Sequence, residues 1–492
     1  MHYWNYIDGS WVPSTSGKTF ASLNPATGEL IGDVTLSTPA DVDAACRAAA
    51  GAFESWRRTP APRRGEILFR AGEIMIRRKE DLARMMTMEM GKIIKESRGD
   101  VQEAIDMCFY MAGEGRRSFG YTTPSELPSK FAMAVRDPIG VVAAITPWNF
   151  PLAIPGWKIF PATVLGNTVV YKPASATAIT SSMIVNVLEE AGLPPGVLNL
   201  IQGPGSTVGA ALAQNENVAL VSFTGSTEVG RQLMVETAPK MKRLSLEMGG
   251  KNAIIVLDDA DLDLAVDGIL WSAFGTTGQR CTAASRVIVQ RQVHAKLVKK
   301  LVDRTRKLQI GNGLDPKIDV GPLINESQLE KTEQYVKVGI QEGARVVAGG
   351  HRACGGDLDR GFFFEPTVFD DVDPSMRIAK EEIFGPVTAV ITVDTLAEAI
   401  RVNNGVPYGL SSAIYSRNVD LAFEAMRDIT TGLVYVNAGT IGAEVHLPFG
   451  GTRGTGNGHR EAGIAALDVF SEWKTLFVDY SGHLQRAQID VQ

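Results

Sequence analysis

The sequence predicts an α/β protein built on a doubly wound parallel sheet, followed by a second alternating α/β block. Three observations predict it. From Gly140 onward, short continuous apolar runs at 141–146, 168–171, 198–202 and 218–223 alternate with helical stretches. Runs of this length without polar alternation are those of parallel strands covered on both faces, and their alternation with helices is the signature of βαβ units. Glycine-rich turns, Gly203-Pro204-Gly205 and Gly225-Ser226-Thr227-Glu228-Val229-Gly230, stand where the last two of these runs pass into helix. Finally, 492 residues with 45% hydrophobic and 21% charged content suit two or three domains at roughly 150 residues each, enough to bury several cores.

Taken in order, residues 5–34 read as short strands broken by turns at Asp8-Gly9-Ser10, Ser16-Gly17-Lys18 and Asn24-Pro25. Thr38-Pro39-Ala40-Asp41 supplies an N-cap and an early proline for a helical region, with helices over 42–53, 64–76, 82–90 (stopped by Gly91) and about 97–118. Residues 121–138 break this texture with a Pro-, Ser- and Thr-rich stretch and a short strand at 131–135. That segment reads as an edge strand for an oligomer contact or as a surface loop. The first alternating block carries helices at 155–166, 178–191 and from about 206 and 228. The second begins near Lys251, with strands at 253–257, 286–289, 345–348, 387–393, 413–416 and 432–436 and helices such as 294–307 and 326–342. A glycine-rich stretch at 450–463 and a last strand near 473–480 follow, and the final ten residues read as frayed.

The net charge of −6 and pI near 5.7 give no basis for nucleic acid or an anionic membrane as partner. Cys46, Cys108, Cys281 and Cys354 are too widely spaced for a zinc or disulfide framework, and usage this sparse fits a reducing compartment. The six histidines are dispersed, so no metal site is expected. The N-terminus lacks a basic region followed by an apolar stretch, and no apolar run reaches the roughly 18 residues that span a bilayer. A soluble, cytoplasmic protein is expected.

Several short motifs can carry chemistry. Gly278-Gln279-Arg280-Cys281-Thr282 sets a cysteine among polar residues, beside a cation, on a glycine-flanked turn. Such a thiol has a favoured thiolate and can be a nucleophile; alone, the stretch equally reads as a surface cysteine without a role. The two glycine turns at strand ends can approach a pyrophosphate at a helix N-terminus, or can be tight βα turns and nothing more. Gly454-Thr455-Gly456-Asn457-Gly458 lacks the strand-turn-helix context and is a decoy. Thr146-Pro147-Trp148-Asn149-Phe150-Pro151 projects an amide from the carboxyl end of a strand, where ligands bind in open α/β sheets, though an Asn there also satisfies turns. Glu247 before Gly249-Gly250, and Glu381-Glu382 before Gly385-Pro386, place carboxylates on rigid turns and each also reads as a solvated loop glutamate.

In order, Thr-Pro-Trp-Asn-Phe-Pro at 146–151, Lys172-Pro173-Ala174, Phe223-Thr224-Gly225-Ser226, Glu247-Met248-Gly249-Gly250-Lys251, Gly278-Gln279-Arg280-Cys281 and Glu382-Ile383-Phe384-Gly385-Pro386 together resemble the aldehyde dehydrogenase superfamily across nearly the whole chain. The resemblance implies that family's fold: a doubly wound cofactor-binding domain (1–120 and 139–249), an α/β catalytic domain (250–450) and a small β oligomerisation element (121–138 and 468–484) in a homodimer or homotetramer.

It also implies roles. Cys281 would attack an aldehyde to give a thiohemiacetal, its oxyanion held by the Asn149 amide and the Cys281 N–H, and hydride loss to a nicotinamide would leave a thioester. Glu247 would activate the deacylating water. A free thiol titrates near ~8.5, so a neighbouring base or cation is needed. The coenzyme, NADP or NAD, would lie along Ile145, Thr146, Pro147, Trp148, Lys172, Ser175, Gly205, Thr224, Gly225, Ser226, Val229, Met248, Gly249, Glu382 and Phe384. NAD-preferring members often carry Glu three residues after the lysine; Ser175 removes that carboxylate and with it the repulsion of a 2′-phosphate. The wording around the nucleophile resembles antiquitin-like and ketoglutarate-semialdehyde-type members, which implies a carboxylate-bearing semialdehyde gripped by Arg280 and Glu103, with Thr282 and Trp157 beside it. Other readings are a broad-specificity aldehyde dehydrogenase, a non-catalytic relative, an acylating CoA-using enzyme and a cysteine hydrolase. The presence of Cys281 and Glu247 argues against the second, Glu247 against the third, and the absence of a placed histidine partner against the last.

Overall fold

A computed structural model describes residues 2–118 and 120–490. Among these, the first large sheet runs in the order Arg243–Glu247, Val218–Thr224, Val141–Ile145, Thr168–Lys172, Leu198–Leu200, Asn5–Ile7, Ser10–Val12. The first five strands are parallel and the two N-terminal ones antiparallel. Chain order reverses between Val141–Ile145 and Val218–Thr224, so this is a doubly wound sheet with its switch point there. Alternate residues of each strand enter different cores, as the two-residue period of a strand requires. Val142, Val169, Leu198 and Leu220 pack with the helices Ala61–Arg77, Lys79–Met90, Ile94–Glu114 and Ala153–Leu165. Ala143, Val170, Val221 and Leu246 pack with Pro39–Arg58 and Thr227–Thr237 on the other face. Each such Val or Leu contributes roughly 1.5–3 kcal/mol by leaving water.

The second sheet has the order Arg345–Ala348, Thr367–Asp370, Val387–Val393, Ala284–Gln290, Asn252–Val256, Ser411–Tyr415, Leu433–Val436, parallel except at its first pair. A three-stranded antiparallel sheet joins Ser471–Asp479, Lys130–Pro138 and Tyr121–Pro124.

Most expected elements are present with longer bounds. Capping explains the first helix: Thr38 and Asp41 form a reciprocal capping box, and Pro39 occupies the first position. Two expectations need correction, and one inner strand of the second sheet was not foreseen. The helix expected from about 206 is a π-type turn, Gly205–Gly209, followed by only one short helix, Ala210–Gln214. The segment after 121 holds two strands rather than one, because Tyr121–Pro124 pairs with the nine-residue Lys130–Pro138. The strand Thr367–Asp370 is not signalled by sequence, since Pro366 and two aspartates leave only Thr-Val-Phe as an apolar run. Residues 483–490 carry no helix or strand, in line with a frayed end; Val491 and Gln492, like Met1 and Phe119, lie outside the described residues.

Candidate active site

Two cavities meet at Cys281. One opens at the switch point of the first sheet. Pro147, Trp148 and Asn149 leave the end of Val141–Ile145, and Gly225 and Ser226 leave the end of Val218–Thr224. Ser226 caps the helix Thr227–Thr237, its Oγ accepting from the Val229 N–H at 3.3 Å, so the positive end of that helix faces the cleft. Across the cleft lie Glu382 and Phe384. Phe384 holds φ at +62° and meets Trp148 edge-on, with ring centroids 5.4 Å apart. Gln328 fixes that turn by donating to the Ile383 and Phe384 carbonyls at 3.0 and 2.9 Å. Glu382 Oε1 accepts from the Gly250 N–H at 3.0 Å; a Cβ on Gly249 would press on the Glu382 carboxylate, and one on Gly250 would meet the Cys281 carbonyl at 2.9 Å.

Cys281 follows a strained turn. Thr276, Thr277 and Gly278 have φ of +52°, +56° and +68°. A left-handed β-branched residue costs of order 1–3 kcal/mol, so the surroundings must hold this turn. Thr277 Oγ1 donates to the Gly321 carbonyl at 2.9 Å, and Gln279 Oε1 accepts from the Ile324 N–H at 2.9 Å. No residue but glycine fits at 278, where a Cβ would strike the Gly385 carbonyl. Asn252 Nδ2 donates to the Cys281 carbonyl at 2.7 Å. Asn149 Nδ2 donates to the Gln279 carbonyl at 3.1 Å, which ties the amide of one strand end to the cysteine's own turn and leaves its second N–H uncommitted among these bonds.

The second cavity lies beyond the cysteine and is lined by Glu103, Trp157, Glu247, Arg280 and Thr282, with Phe150, Phe449 and Glu461. Trp157 and Phe449 meet edge-on at 4.8 Å. Arg280 is already engaged: Nη2 pairs with Glu96 at 2.9 Å, Nε donates to Thr276 Oγ1 at 2.9 Å, and the guanidinium lies over the rings of Phe150 and Trp271. Nor does the arginine give a favoured thiolate, contrary to the expectation for a cysteine beside a cation. Burial first, then the Glu382 and Glu247 carboxylates, push the Cys281 thiol up to about 12. The thiol therefore rests protonated and needs a base.

Glu247 is buried, and neither of its carboxylate oxygens has a hydrogen-bond partner of good geometry. Burial and the neighbouring Glu461 raise it well above the ordinary carboxylate range, while Lys158, Arg460 and the nearby Gly451 amide pull the other way. Glu461 is paired with the fully buried Lys158, whose Nζ also donates to Ser222 Oγ at 3.1 Å. The stretch set aside as a decoy turns out to hold this carboxylate in place. Residues 454–458 run along the strand Arg243–Glu247, with the Met248 N–H donating to the Thr455 carbonyl at 2.7 Å and the Leu246 N–H to Asn457 Oδ1 at 3.0 Å.

Of the residues singled out from sequence, Cys281, Thr224 and Met248 line both cavities; Glu247, Arg280, Thr282, Glu103 and Trp157 line the second; Asn149, Pro147, Trp148, Gly225, Ser226, Gly249, Glu382 and Phe384 line the first. Ile145 and Thr146 lie buried beneath the 147–149 turn. Lys172, Ser175, Gly205 and Val229 stand outside both cavities. Lys172 is buried beside Gly209 of the π-type turn, its Nζ donating to the Pro173 carbonyl at 2.7 Å, and burial lowers it to about 8. Sequence reasoning missed Gln328, Lys331, Phe150, Phe449, Glu461 and Lys158. Only Glu461, an acid next to Arg460 in a glycine-rich run, carried a visible signal.

The aldehyde dehydrogenase family model matches residues 11–476. The α-ketoglutaric semialdehyde dehydrogenase of Bacillus subtilis is 43% identical over 477 residues, covering 97% of this chain and 98% of that protein. The α-ketoglutarate semialdehyde dehydrogenase of Haloferax volcanii is 44% identical over 478 residues, covering 97% and 99%. The crystal structure of a betaine aldehyde dehydrogenase point mutant from Staphylococcus aureus in complex with NAD+ superposes with a TM-score of 0.96 at 37% identity, covering 98% of this chain and 97% of that one.

Proposed function

The chain belongs to the aldehyde dehydrogenase family, and from that premise we propose that it oxidises a carboxylate-bearing semialdehyde to the acid, with Cys281 as nucleophile and NAD or NADP as coenzyme. The observation that carries this reading is that one cysteine lies at the junction of two cavities, so a substrate in one can face a coenzyme in the other.

The first cavity fits a nicotinamide dinucleotide. It offers a capped helix N-terminus for a pyrophosphate, a glycine where a side chain would block Glu382, and Glu382 itself for ribose hydroxyls. When bound, the coenzyme supplies the hydride acceptor. The protein's own groups do the rest. Glu247, once it loses its proton, takes the proton of Cys281, and the sulfur attacks the aldehyde carbon. The oxygen becomes an oxyanion that accepts from the Cys281 N–H and the free Asn149 N–H, donors held in place before the reaction. After the oxidation, Glu247 releases to solvent the proton it took from Cys281, accepts one from the water that attacks the thioester carbonyl, and returns that proton to the departing Cys281 sulfur. Lys158 and Glu461 beside Glu247 set how readily it gives up its proton.

Substrate class is read from Arg280 and Glu103 in the second cavity and from the relatives' names. Ser175 supports acceptance of NADP as well as NAD. We read residues 1–120 and 139–249 as the coenzyme-binding domain, 250–450 as the catalytic domain, and 121–138 with 468–484 as an oligomerisation element. The exposed apolar side chains of its outer strand, Trp473, Leu476, Phe477 and Val478, favour a homodimer or homotetramer. Four unpaired thiols suit a cytoplasmic setting.

The test is the appearance of reduced coenzyme with semialdehydes and with propanal, with and without CoA. A kcat/KM at least tenfold higher for semialdehydes, independent of CoA, is expected. Equal kcat/KM for a semialdehyde and for propanal in the wild-type protein would overturn the carboxylate reading.

A further inference from the structure

Glu96 has no part in the chemistry above, yet it is bonded to both ends of the nucleophile's strained turn. It lies in the first turn of the helix Ile94–Glu114, with its side chain 2% exposed. Its Oε1 accepts from the Thr276 N–H at 2.8 Å and from Arg280 Nη2 at 2.9 Å. Arg280 Nε donates to Thr276 Oγ1 at 2.9 Å and so closes a ring of three residues. Inside that ring run the left-handed Thr276, Thr277 and Gly278, and Cys281 is the next residue after it. The guanidinium is held from two further sides by the rings of Phe150 and Trp271, at 5.2 and 5.1 Å. Phe150 follows Asn149, whose amide bonds the Gln279 carbonyl of the same turn.

Two left-handed threonines persist only where their surroundings over-determine them. A carboxylate that accepts from the backbone at the start of the turn and from the side chain at its end supplies that constraint. We propose that Glu96 is a positioning residue for the reaction, holding the turn that aims the Cys281 sulfur and sets it against the Asn149 amide. It acts through Thr276 and Arg280 and touches no substrate. The proposal rests on Cys281 being the nucleophile.

The experiment compares Glu96→Gln, Glu96→Asp, Glu96→Ala and Cys281→Ser with the wild-type protein. Three quantities are read: kcat with propanal, which has no carboxylate for Arg280 to bind; the rate of iodoacetamide alkylation of Cys281 without substrate; and folding by circular dichroism. Glutamine keeps an acceptor for both donors, so Glu96→Gln should stay within about threefold of wild type. Aspartate keeps the charge but is one methylene short, and Glu96→Asp should lose on the order of ten- to hundredfold in both kcat and alkylation rate, with the KM for coenzyme unchanged. Glu96→Ala, if folded, should lose at least as much; if it does not fold, the aspartate variant decides. Wild-type alkylation and turnover in folded Glu96→Asp overturn the proposal. Wild-type turnover in Cys281→Ser instead overturns the reading of the nucleophile, whatever the Glu96 variants do.

Discussion

The two cavities that meet at Cys281 are built by opposite rules. The proposed coenzyme side is made chiefly from turns at the ends of neighbouring strands, 147–149, 225–226 and 248–249, with Glu382 and Phe384 facing them. The substrate side is made from side chains drawn from distant segments, among them Glu103 on a helix of the first half, Trp157 on another, Arg280 on the nucleophile turn and Glu461 near the end. Two of its carboxylates are held above their ordinary range, Glu103 to about 8 and Glu247 well above it. A dinucleotide of constant shape can be held by backbone geometry. A variable aldehyde has to be read by side chains, and buried titratable groups are where chemistry and selectivity concentrate.

That contrast can be broken or sharpened by substitution. The largest effect is expected for Cys281→Ala, which should lower kcat by at least about 10⁴-fold and leave coenzyme affinity, measured by fluorescence titration, within twofold. A parallel loss of coenzyme affinity would mean the two sides are not separable. Glu247→Gln should lower steady-state kcat by about 10²–10⁴-fold and slow single-turnover reduction of the coenzyme as well, because both the Cys281 thiol and the deacylating water give their protons to Glu247. Asn149→Ala should cost about 10²–10³-fold in kcat with little change in KM, as expected for a donor that bonds the oxyanion and not the aldehyde; a pure KM effect would assign the amide to substrate binding.

A smaller effect is expected from pH. Burial first, then Asp100, raise Glu103 to about 8; Arg280 and Lys92 oppose this, and Asp106 adds to it. Those cations are engaged elsewhere, Lys92 with Asp100 at 2.8 Å and Arg280 with Glu96. A raised acid is neutral below its pKa, so Glu103 faces the cavity uncharged at neutral pH and becomes an anion above about 8. The KM for a carboxylate-bearing semialdehyde should then rise several-fold between about pH 7 and 9, that for propanal should stay flat, and Glu103→Gln should remove the difference. Identical pH profiles for the two aldehydes would contradict this. The smallest change is expected at the far end of the coenzyme, where Ser175→Glu should lower kcat/KM for NADP by roughly tenfold and spare NAD, since a carboxylate at about 4–6 Å from a phosphate repels it.

The contrast also explains what could be read in advance. The doubly wound sheet was legible because its strands are uninterrupted apolar runs and its turns contiguous glycine motifs; each is a local pattern. Cys281, Glu247 and Asn149 were legible because each sits in a short contiguous motif, and the ordered set of those motifs carries the resemblance. Glu96 was not, since nothing near it in sequence distinguishes it from other helix-surface acids; its partners are 180 and 184 residues away. Arg280 was visible, but its pairing was not. The place of residues 454–458 beside Glu247 was hidden for the same reason, because a glycine run without a strand before it has no visible purpose until it lies along Arg243–Glu247.

By itself, then, the sequence determined most of the alternation of strands and helices, through hydrophobic period and turn chemistry that act over a few residues. The ordered set of six motifs determined the resemblance to the family, and that resemblance pointed to the cysteine, carboxylate and amide. Only the tertiary structure decided which charges neutralise one another. Burial and the approach of distant carboxylates keep the Cys281 thiol protonated, pair Arg280 with Glu96 before any substrate arrives, and leave Glu247 and Glu103 raised. Electrostatic interactions in a low-dielectric interior depend on distance through space, and no local pattern in a chain encodes that distance.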